Sequence, residues 1–569
     1  MPISSRAISL ALLTIPFVFL LLFYFYPLGS ILIASFSRAD GGLISTVLQT
    51  LESSSVRNVW WFTFWQASLS TILTLFIGLP GAYLFARYQF HGKSILQALT
   101  SIPFILPTLV VAAAFNALLG SRGWVNLALM SLFDLSQPPI QFINTFSAII
   151  LAHIFYNTTI VLRMVGDFWS HIDPRTGQAA QILGANRWQT LIKITLPILL
   201  PAIAAATLLI FIFNFTSFGV ILILGGPRFA TLEVEIYYQT VSLFNLPLAA
   251  TLSVLQLACT MGLTIIYTRL IAKISRPISI RPRKYTQQRL NTWPRRIMAA
   301  LIILSLVILL ITPLVALVAR SFTSFAAIQG QKSNVSPRFT LDFYKELTTN
   351  NRDSLFYTSP TTAIAISFGY AAITVILAIS LGLPAAWALV RDSKSKLNRS
   401  FDSIIMLPLG TSAVTLGLGF IIALSHPPLD LRASLFLIPI AHTLVAFPFV
   451  VRSLTPALRS IQPGLRNAAK VMGASPIQVF RHIDLPLIGR ALLVAATFAF
   501  AISLGEFGAT ALIARPEYPT IPILIYRFIS QPGALNYGQA LALSTLLMLA
   551  TSIGMLAIER FRIADIGEF

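Results

Sequence analysis

The sequence predicts an all-α polytopic membrane protein of about twelve transmembrane helices, built as two repeated six-helix halves. Three observations predict it. Of 569 residues, 56% are hydrophobic and only 10% charged, whereas a soluble domain carries about 25% charged residues; mean hydropathy is +0.79. Twelve runs are long and apolar enough to cross a bilayer, which takes roughly 20 residues. A polar string, QAAQILGANRWQTLIKITLP at 178–197, returns as NAAKVMGASPIQVFRHIDLP at 467–486.

The runs of the first half fall near residues 8–35, 60–86, 98–119, 146–166, 199–223 and 246–271. Those of the second fall near 297–319, 361–390, 402–424, 434–451, 489–513 and 537–558. The first run is longer than the ~7–15-residue apolar core of a cleaved signal peptide and has no clear cleavage pattern after it, so it reads as a retained span. Cys259, the one cysteine, lies in the sixth run. It reads as a small packing residue, and one cysteine supports neither an internal disulfide nor a cysteine metal cluster.

A formal net charge of +21 would suggest nucleic acid in a soluble protein. Here the basic residues sit in short loops between apolar runs and no basic-aromatic module is visible, so orientation in the membrane is the better reading. Arg87 and Lys93 follow the second run; Lys273, Arg276, Arg281, Arg283, Lys284, Arg289, Arg295 and Arg296 follow the sixth. Arg391, Lys394, Lys396 and Arg399 follow the eighth, and Arg560 and Arg562 the twelfth. With twelve spans all of these share one side, the cytoplasm, and both termini are cytoplasmic. The opposite loops mix signs, as in Arg38, Asp40 and Glu52, then Arg228, Glu233 and Glu235, then Lys332, Asp342, Lys345 and Glu346.

The repeat sets the organisation. An offset of 289 pairs Ala179 with Ala468, His153 with His442, Arg163 with Arg452, Gly184 with Gly473, Phe218-Gly219 with Phe507-Gly508, and Ile236-Tyr237 with Ile525-Tyr526. Upstream the offset grows to 304, pairing Gly78-Leu79-Pro80 with Gly382-Leu383-Pro384, which fits a longer outer loop near 120–145. Residues 1–271 and 297–569 are then the halves, joined by a basic cytoplasmic linker at 272–296. Six spans separate the copies, so both have one orientation about an axis along the membrane normal.

Each doubled string lies between the fourth and fifth spans of its half, on the cytoplasmic side. It reads as a short helix, a glycine suited to positive φ, and a second short helix running to Leu-Pro. Pro197 and Pro486 can begin the following helix. An ordinary amphipathic loop helix is the bland alternative, and a matched second copy argues against it.

The spacing Ala-Ala, three residues, Gly, nine residues, Ile-x-Leu-Pro resembles the "EAA loop" of binding-protein-dependent ABC importers, including Ile194 and Ile483. The resemblance implies the type I ABC importer permease fold, with each loop docking on a cytoplasmic ATPase subunit. The coupling residues carried over are Gln178, Ala179, Ala180, Gly184, Leu196 and Pro197, and Asn467, Ala468, Ala469, Gly473, Leu485 and Pro486. Gln178 and Asn467 stand where the family usually has Glu, which implies hydrogen bonding in place of an ion pair. The implied partners are two copies of the ATPase, an extracytoplasmic solute-binding protein and the lipid bilayer of a bacterial inner membrane. No cofactor is expected in this chain. ATP and Mg belong to the partner subunits, since "HGKS" at 91–94 has Arg87 where a phosphate-binding loop needs its first Gly.

Two fused halves in one chain resemble the thiamine and ferric-iron permeases. "FTFWQASLSTILTLFIGLP", "LAHIFYNTTIVLRM", "GGPRFATLEVEIYYQ" and "ISLGEFGATALIARPEYPTIPILIYRFIS" look most like the thiamine permease. The solute reading is thiamine or a thiamine phosphate, with ferric iron as the alternative. An ion-coupled secondary transporter can also have six plus six spans, but the loop "RYQFHGKS" lacks the Asp of the major-facilitator signature.

Candidate pathway residues are polar or aromatic groups inside spans. Glu506, in the eleventh run, is an ionisable group whose insertion costs about 2.5–3.5 kcal/mol. It either faces a cationic solute or pairs with a buried backbone or Arg group. Ser217 is its repeat partner. Phe218, Phe507 and Tyr156 either stack on the solute or simply pack. Asn157 and Asn214 either line the pathway or bond between helices. His153 and His442 have no further metal ligands at suitable spacing and read as satisfied core histidines.

Overall fold

A computed structural model describes residues 5–36, 50, 52–274, 287–324, 338–348, 358–391, 396–425 and 429–563. Arg38, Asp40, Arg276, Arg281, Arg283, Lys284, Lys332 and Lys394 lie outside them. Six helices of the first half are long and apolar enough to cross a membrane: Leu12–Ser35, Ser54–Arg87, Thr108–Phe133, Phe146–His171, Arg187–Phe215 and Leu246–Leu270. Four of the second half are: Trp293–Ser321, Pro360–Arg391, Leu437–Ser460 and Ala534–Ala557. Two bent pairs, Ser400–Gly410 with Ala413–Ala423 (96°) and Pro476–Leu487 with Gly489–Gly505 (71°), bring the described residues to twelve spans if each pair is one.

Three predicted boundaries are corrected. The third span does not begin near 98. Short helices Lys93–Leu99 and Ile102–Ile105 come first, and the span starts at Thr108. Pro103 and Pro107 lack the N–H that would carry a helix through. The fifth span stops at Phe215 and the eleventh at Gly505, not near 223 and 513. In both copies the chain turns there and restarts, in the eleventh case as the helix Gly508–Ile513. The ninth span breaks at Gly410, and Ser412 caps the next helix by accepting from Val414 N (3.1 Å) and Thr415 N (3.3 Å).

Glycine lets helices cross closely at the same repeat position of each half. A Cβ on Gly78 would sit 2.7 Å from Val161 Cβ, and one on Gly382 2.6 Å from Val450 Cγ1. The short helices Leu232–Val241 and Ile521–Ser530 are tied to the second and eighth spans by matched bonds, Leu232 N to Thr63 Oγ1 (3.0 Å) and Ile521 N to Ser367 Oγ (2.7 Å).

The halves exchange their opening spans. Leu13, Leu20 and Tyr24 of the first span pack in one core with Ala378, Leu381, Phe420 and Phe447 of the second half. Tyr24 OH lies 2.6 Å from Thr411 Oγ1. Leu306, Leu310 and Leu317 of the seventh span pack in a shared core with Leu109, Val110 and Phe115 of the first half. The linker returns to the first half, where Gln288–Arg289 pairs in parallel with Tyr88–Gln89.

Candidate functional site

Between the halves lies a cavity of about 380 Å³. All seven candidate pathway residues line it: Tyr156, Asn157, Asn214, Ser217 and Phe218 from the first half, Glu506 and Phe507 from the second. The breaks after the fifth and eleventh spans bring them together, because an interrupted helix turns its polar end inward. The segment Phe104–Thr108 also lines the cavity. The sequence concealed this segment by reading as the start of a plain span.

Phe218 and Phe507, equivalent in the repeat, stack with ring centroids 5.5 Å apart and planes 22° from parallel. Tyr237 packs on Phe218 at 5.3 Å and Tyr526 on Phe507 at 5.5 Å. A four-ring ladder thus crosses from one half to the other, at the end of the fifth and eleventh spans farthest from the doubled loops.

The histidines are satisfied, as their sequence context suggested. His153 bonds Ser70 Oγ through Nδ1 (3.1 Å) and Ser217 Oγ through Nε2 (2.9 Å). His442 bonds Ser503 Oγ through Nδ1 (2.8 Å) and Thr510 Oγ1 through Nε2 (2.9 Å), and that Nε2 is 3.3 Å from Glu506 Oε2. Glu506 accepts from Ala509 N (2.8 Å), Thr510 N (3.0 Å) and Thr510 Oγ1 (2.5 Å). Of the two readings of this acid, the buried-backbone one describes its contacts, with a histidine in place of an arginine.

Asn157 donates to Asn214 Oδ1 (2.7 Å), Asn214 to Thr71 Oγ1 (3.3 Å), and Gln66 to Asn214 O (2.8 Å). Asn157 and Asn214 bond between helices and also line the cavity. The Tyr156 hydroxyl is buried with no hydrogen-bond partner among the described residues. The facing wall is apolar, with Val445, Phe449, Phe498, Ala501 and Ile502. Val445 stands where the first half has Tyr156.

Glu233 is a further correction. The sequence assigned it to an outer loop, but its side chain is fully buried and accepts from Ser412 of the other half and from Gln256. Nothing in its local sequence signals this, since Ser412 is 179 residues away.

The doubled loops are near copies. Helices Pro174–Ile182 and Pro463–Val471 end in glycines with left-handed backbone, Gly184 at φ 91° and Gly473 at φ 84°. Ala185 N donates to Ala180 O (3.0 Å) and Ala474 N to Ala469 O (3.0 Å), the six-to-one bond of a Schellman end. Capping boxes then start the next helices, Asn186 with Gln189 and Ser475 with Gln478. Gln178, Ala179, Asn467 and Ala468 are exposed. From there the chain passes through a π-helical turn into Leu196-Pro197 or Leu485-Pro486, where the following helix begins.

Sequence reasoning missed the residues these loops present. Leu183 and Met472 are 88% and 86% exposed, flanked by exposed Ile182 and Val471, and Trp188 and Ile477 repeat the pattern. Each stands at the 289-residue offset from its counterpart.

Comparison with known proteins agrees with this architecture. The probable ABC transporter permease protein y4fN of Sinorhizobium fredii is 27% identical over 512 residues, covering 88% of this chain and 86% of that protein. The thiamine transport system permease protein ThiP of Escherichia coli is 25% identical over 484 residues, 84% of each chain. ThiP of Haemophilus influenzae is 27% identical over 519 residues, covering 89% of this chain and 88% of that one. These relatives are transport permeases, not enzymes, and none is described as an ion-coupled carrier. The model of the "binding-protein-dependent transport system inner membrane component" matches residues 78–277 and again 378–562. The chain is therefore a multi-pass membrane protein of that family, with the family's unit present twice.

Proposed function

We propose that the chain is the fused permease of an ATP-driven importer for thiamine or a thiamine phosphate. Two separate ATPase subunits dock on the loops at 178–197 and 467–486, and a soluble binding protein delivers solute to the opposite face. The loop face is cytoplasmic, by the basic residues that share it. The observation that carries this reading is the pair of exposed apolar ends, Ile182-Leu183 and Val471-Met472, held by identical caps beside Ala179 and Ala468. An apolar tip this exposed outside the lipid calls for a protein partner.

ATP binding draws the loops together, and the two halves switch about the cavity. In this reading the stacked Phe218 and Phe507 form the gate at its far end, and solute leaves toward the loops. The thiamine permeases among the relatives support the solute. So does a cavity lined by the aromatic rings of Tyr156, Phe218 and Phe507, a setting suited to a flat cation.

The test is ATP-dependent uptake in proteoliposomes holding the chain with its ATPase and binding protein. Uptake of labelled thiamine, blocked by excess thiamine and not by ferric iron, is expected. Uptake of ferric iron alone would overturn the solute, and uptake driven by an ion gradient without ATP would overturn the class.

A further inference from the structure

The two loops are not held alike. Asp484, 1% exposed, lies in the π-helical turn Phe480–Asp484 that leads into the eleventh span. Its Oδ1 accepts from Arg466 Nε at 2.8 Å and its Oδ2 from Trp387 Nε1 at 3.2 Å. Arg466 belongs to the loop helix, immediately before Asn467-Ala468-Ala469, and its Nη2 donates to Leu458 O of the tenth span (3.4 Å). Trp387 belongs to the eighth span. One buried carboxylate therefore straps the loop helix to the membrane helices.

The first loop is held otherwise, by Arg87 Nη1 of the second span donating to Ile172 O just before the loop helix (3.3 Å). The matching positions are Gly177, Thr195 and Tyr83, and Tyr83 OH instead meets Tyr88 OH at 3.2 Å. The spans that follow differ too. The fifth runs unbroken from Arg187 to Phe215, while the eleventh bends by 71° beside Gly489, which replaces Leu200.

We infer that Asp484 is a positioning residue for energy coupling: it makes the second loop a rigid lever on the eighth, tenth and eleventh spans, through a buried carboxylate that the first loop lacks at the matching position, Thr195. A buried acid bonded to a guanidinium and an indole has one low-energy arrangement, because separating the pair leaves a charge uncompensated away from water. Motion of the loop helix is then carried directly to three spans. In the first half it passes through the contact of Arg87, on the second span, with Ile172 O at the entrance of the loop helix. The two ATPase contacts are thus held by different side chains although their tips are alike.

This inference rests on the proposed docking of ATPase subunits at the loops. The complete complex is reconstituted with Asp484→Asn, which keeps an acceptor for Trp387 and removes the charge. Solute moved per ATP hydrolysed is expected to fall about tenfold, within the usual range of coupling effects, with ATP hydrolysis itself little changed. The neutral pair Arg466→Gln with Asp484→Asn restores most of the ratio, and Thr195→Val, at the matching position of the first loop, lowers it less than Asp484→Asn does. Hydrogen exchange on the chain alone quickens at 463–479 in the Asp484→Asn variant and stays constant at 174–190. If that variant does not fold, Arg466→Gln, at a partly exposed position, takes its place. An unchanged transport-to-ATP ratio, or equal loosening of both loops, overturns the inference. Failure of the wild-type complex to couple at all overturns the proposed function instead, and the exchange measurement still decides the strap.

Discussion

Phe218 and Phe507 occupy the same position in the two halves and stack face to face, 5.5 Å between centroids. A residue and its own repeat partner touch only near the axis that relates the halves, so this pair marks the axis at the far end of the cavity. An aromatic pair is worth about 0.5–1.5 kcal/mol beyond its buried area. Phe218→Ala or Phe507→Ala is expected to favour separation of the halves there and to raise ATP hydrolysis without binding protein several-fold. Basal hydrolysis equal to wild type in both variants would show that the stack closes nothing.

Gly184 and Gly473 have left-handed backbones and open space where a Cβ would go. Substitution by Ala therefore meets strain without a clash, about 1–2 kcal/mol for the left-handed conformation. The helix end relaxes and the apolar tip tilts. Gly184→Ala and Gly473→Ala are each expected to keep membrane insertion and melting temperature nearly unchanged while reducing solute moved per ATP. Normal ATP-driven uptake by both variants would sink the lever role of the loops.

Leu183 and Met472 should carry the largest share of ATPase binding. Fully burying such a side chain is worth about 1.5–3 kcal/mol, so Leu183→Asp or Met472→Asp should weaken co-purification of the ATPase about tenfold or more. Both side chains are exposed in the chain alone, so its thermal stability should not move. A stable variant that retains the ATPase at wild-type stoichiometry after extensive washing would place the contact elsewhere.

Glu233 links the halves through Ser412. Glu233→Ala leaves the Ser412 hydroxyl and the Gln256 amide without their acceptor, at about 1–3 kcal/mol for each buried group left unsatisfied. Thermal unfolding in detergent should drop by several degrees, while Glu233→Gln, which keeps an acceptor oxygen, should drop by less. Equal loss in the two variants would mean that charge, not hydrogen bonding, holds the contact.

Much of the candidate site was legible. Asn157, Asn214, Ser217 and Glu506 stood out because a polar side chain within an apolar run must find a partner or a cavity, and all four line one. The reverse signal, an apolar side chain within a polar loop, is weaker, since isolated exposed leucines are common. Leu183 and Met472 were passed over for that reason. The Asp484 strap was hidden because its three members sit in separate elements, as much as 97 residues apart.

The sequence by itself determined the all-α spanning architecture, its grouping into two halves and the form of the doubled loops. Bilayer thickness sets the length of an apolar run, and caps and glycines act over a few residues, so both signals are local. Only the tertiary structure decided that the opening spans change sides, that the fifth and eleventh stop short, and that Phe218 meets Phe507 while Glu506 meets His442. A repeat says which residues correspond. Which residues touch depends on how two six-helix halves pack across hundreds of residues of chain, and no local pattern encodes that.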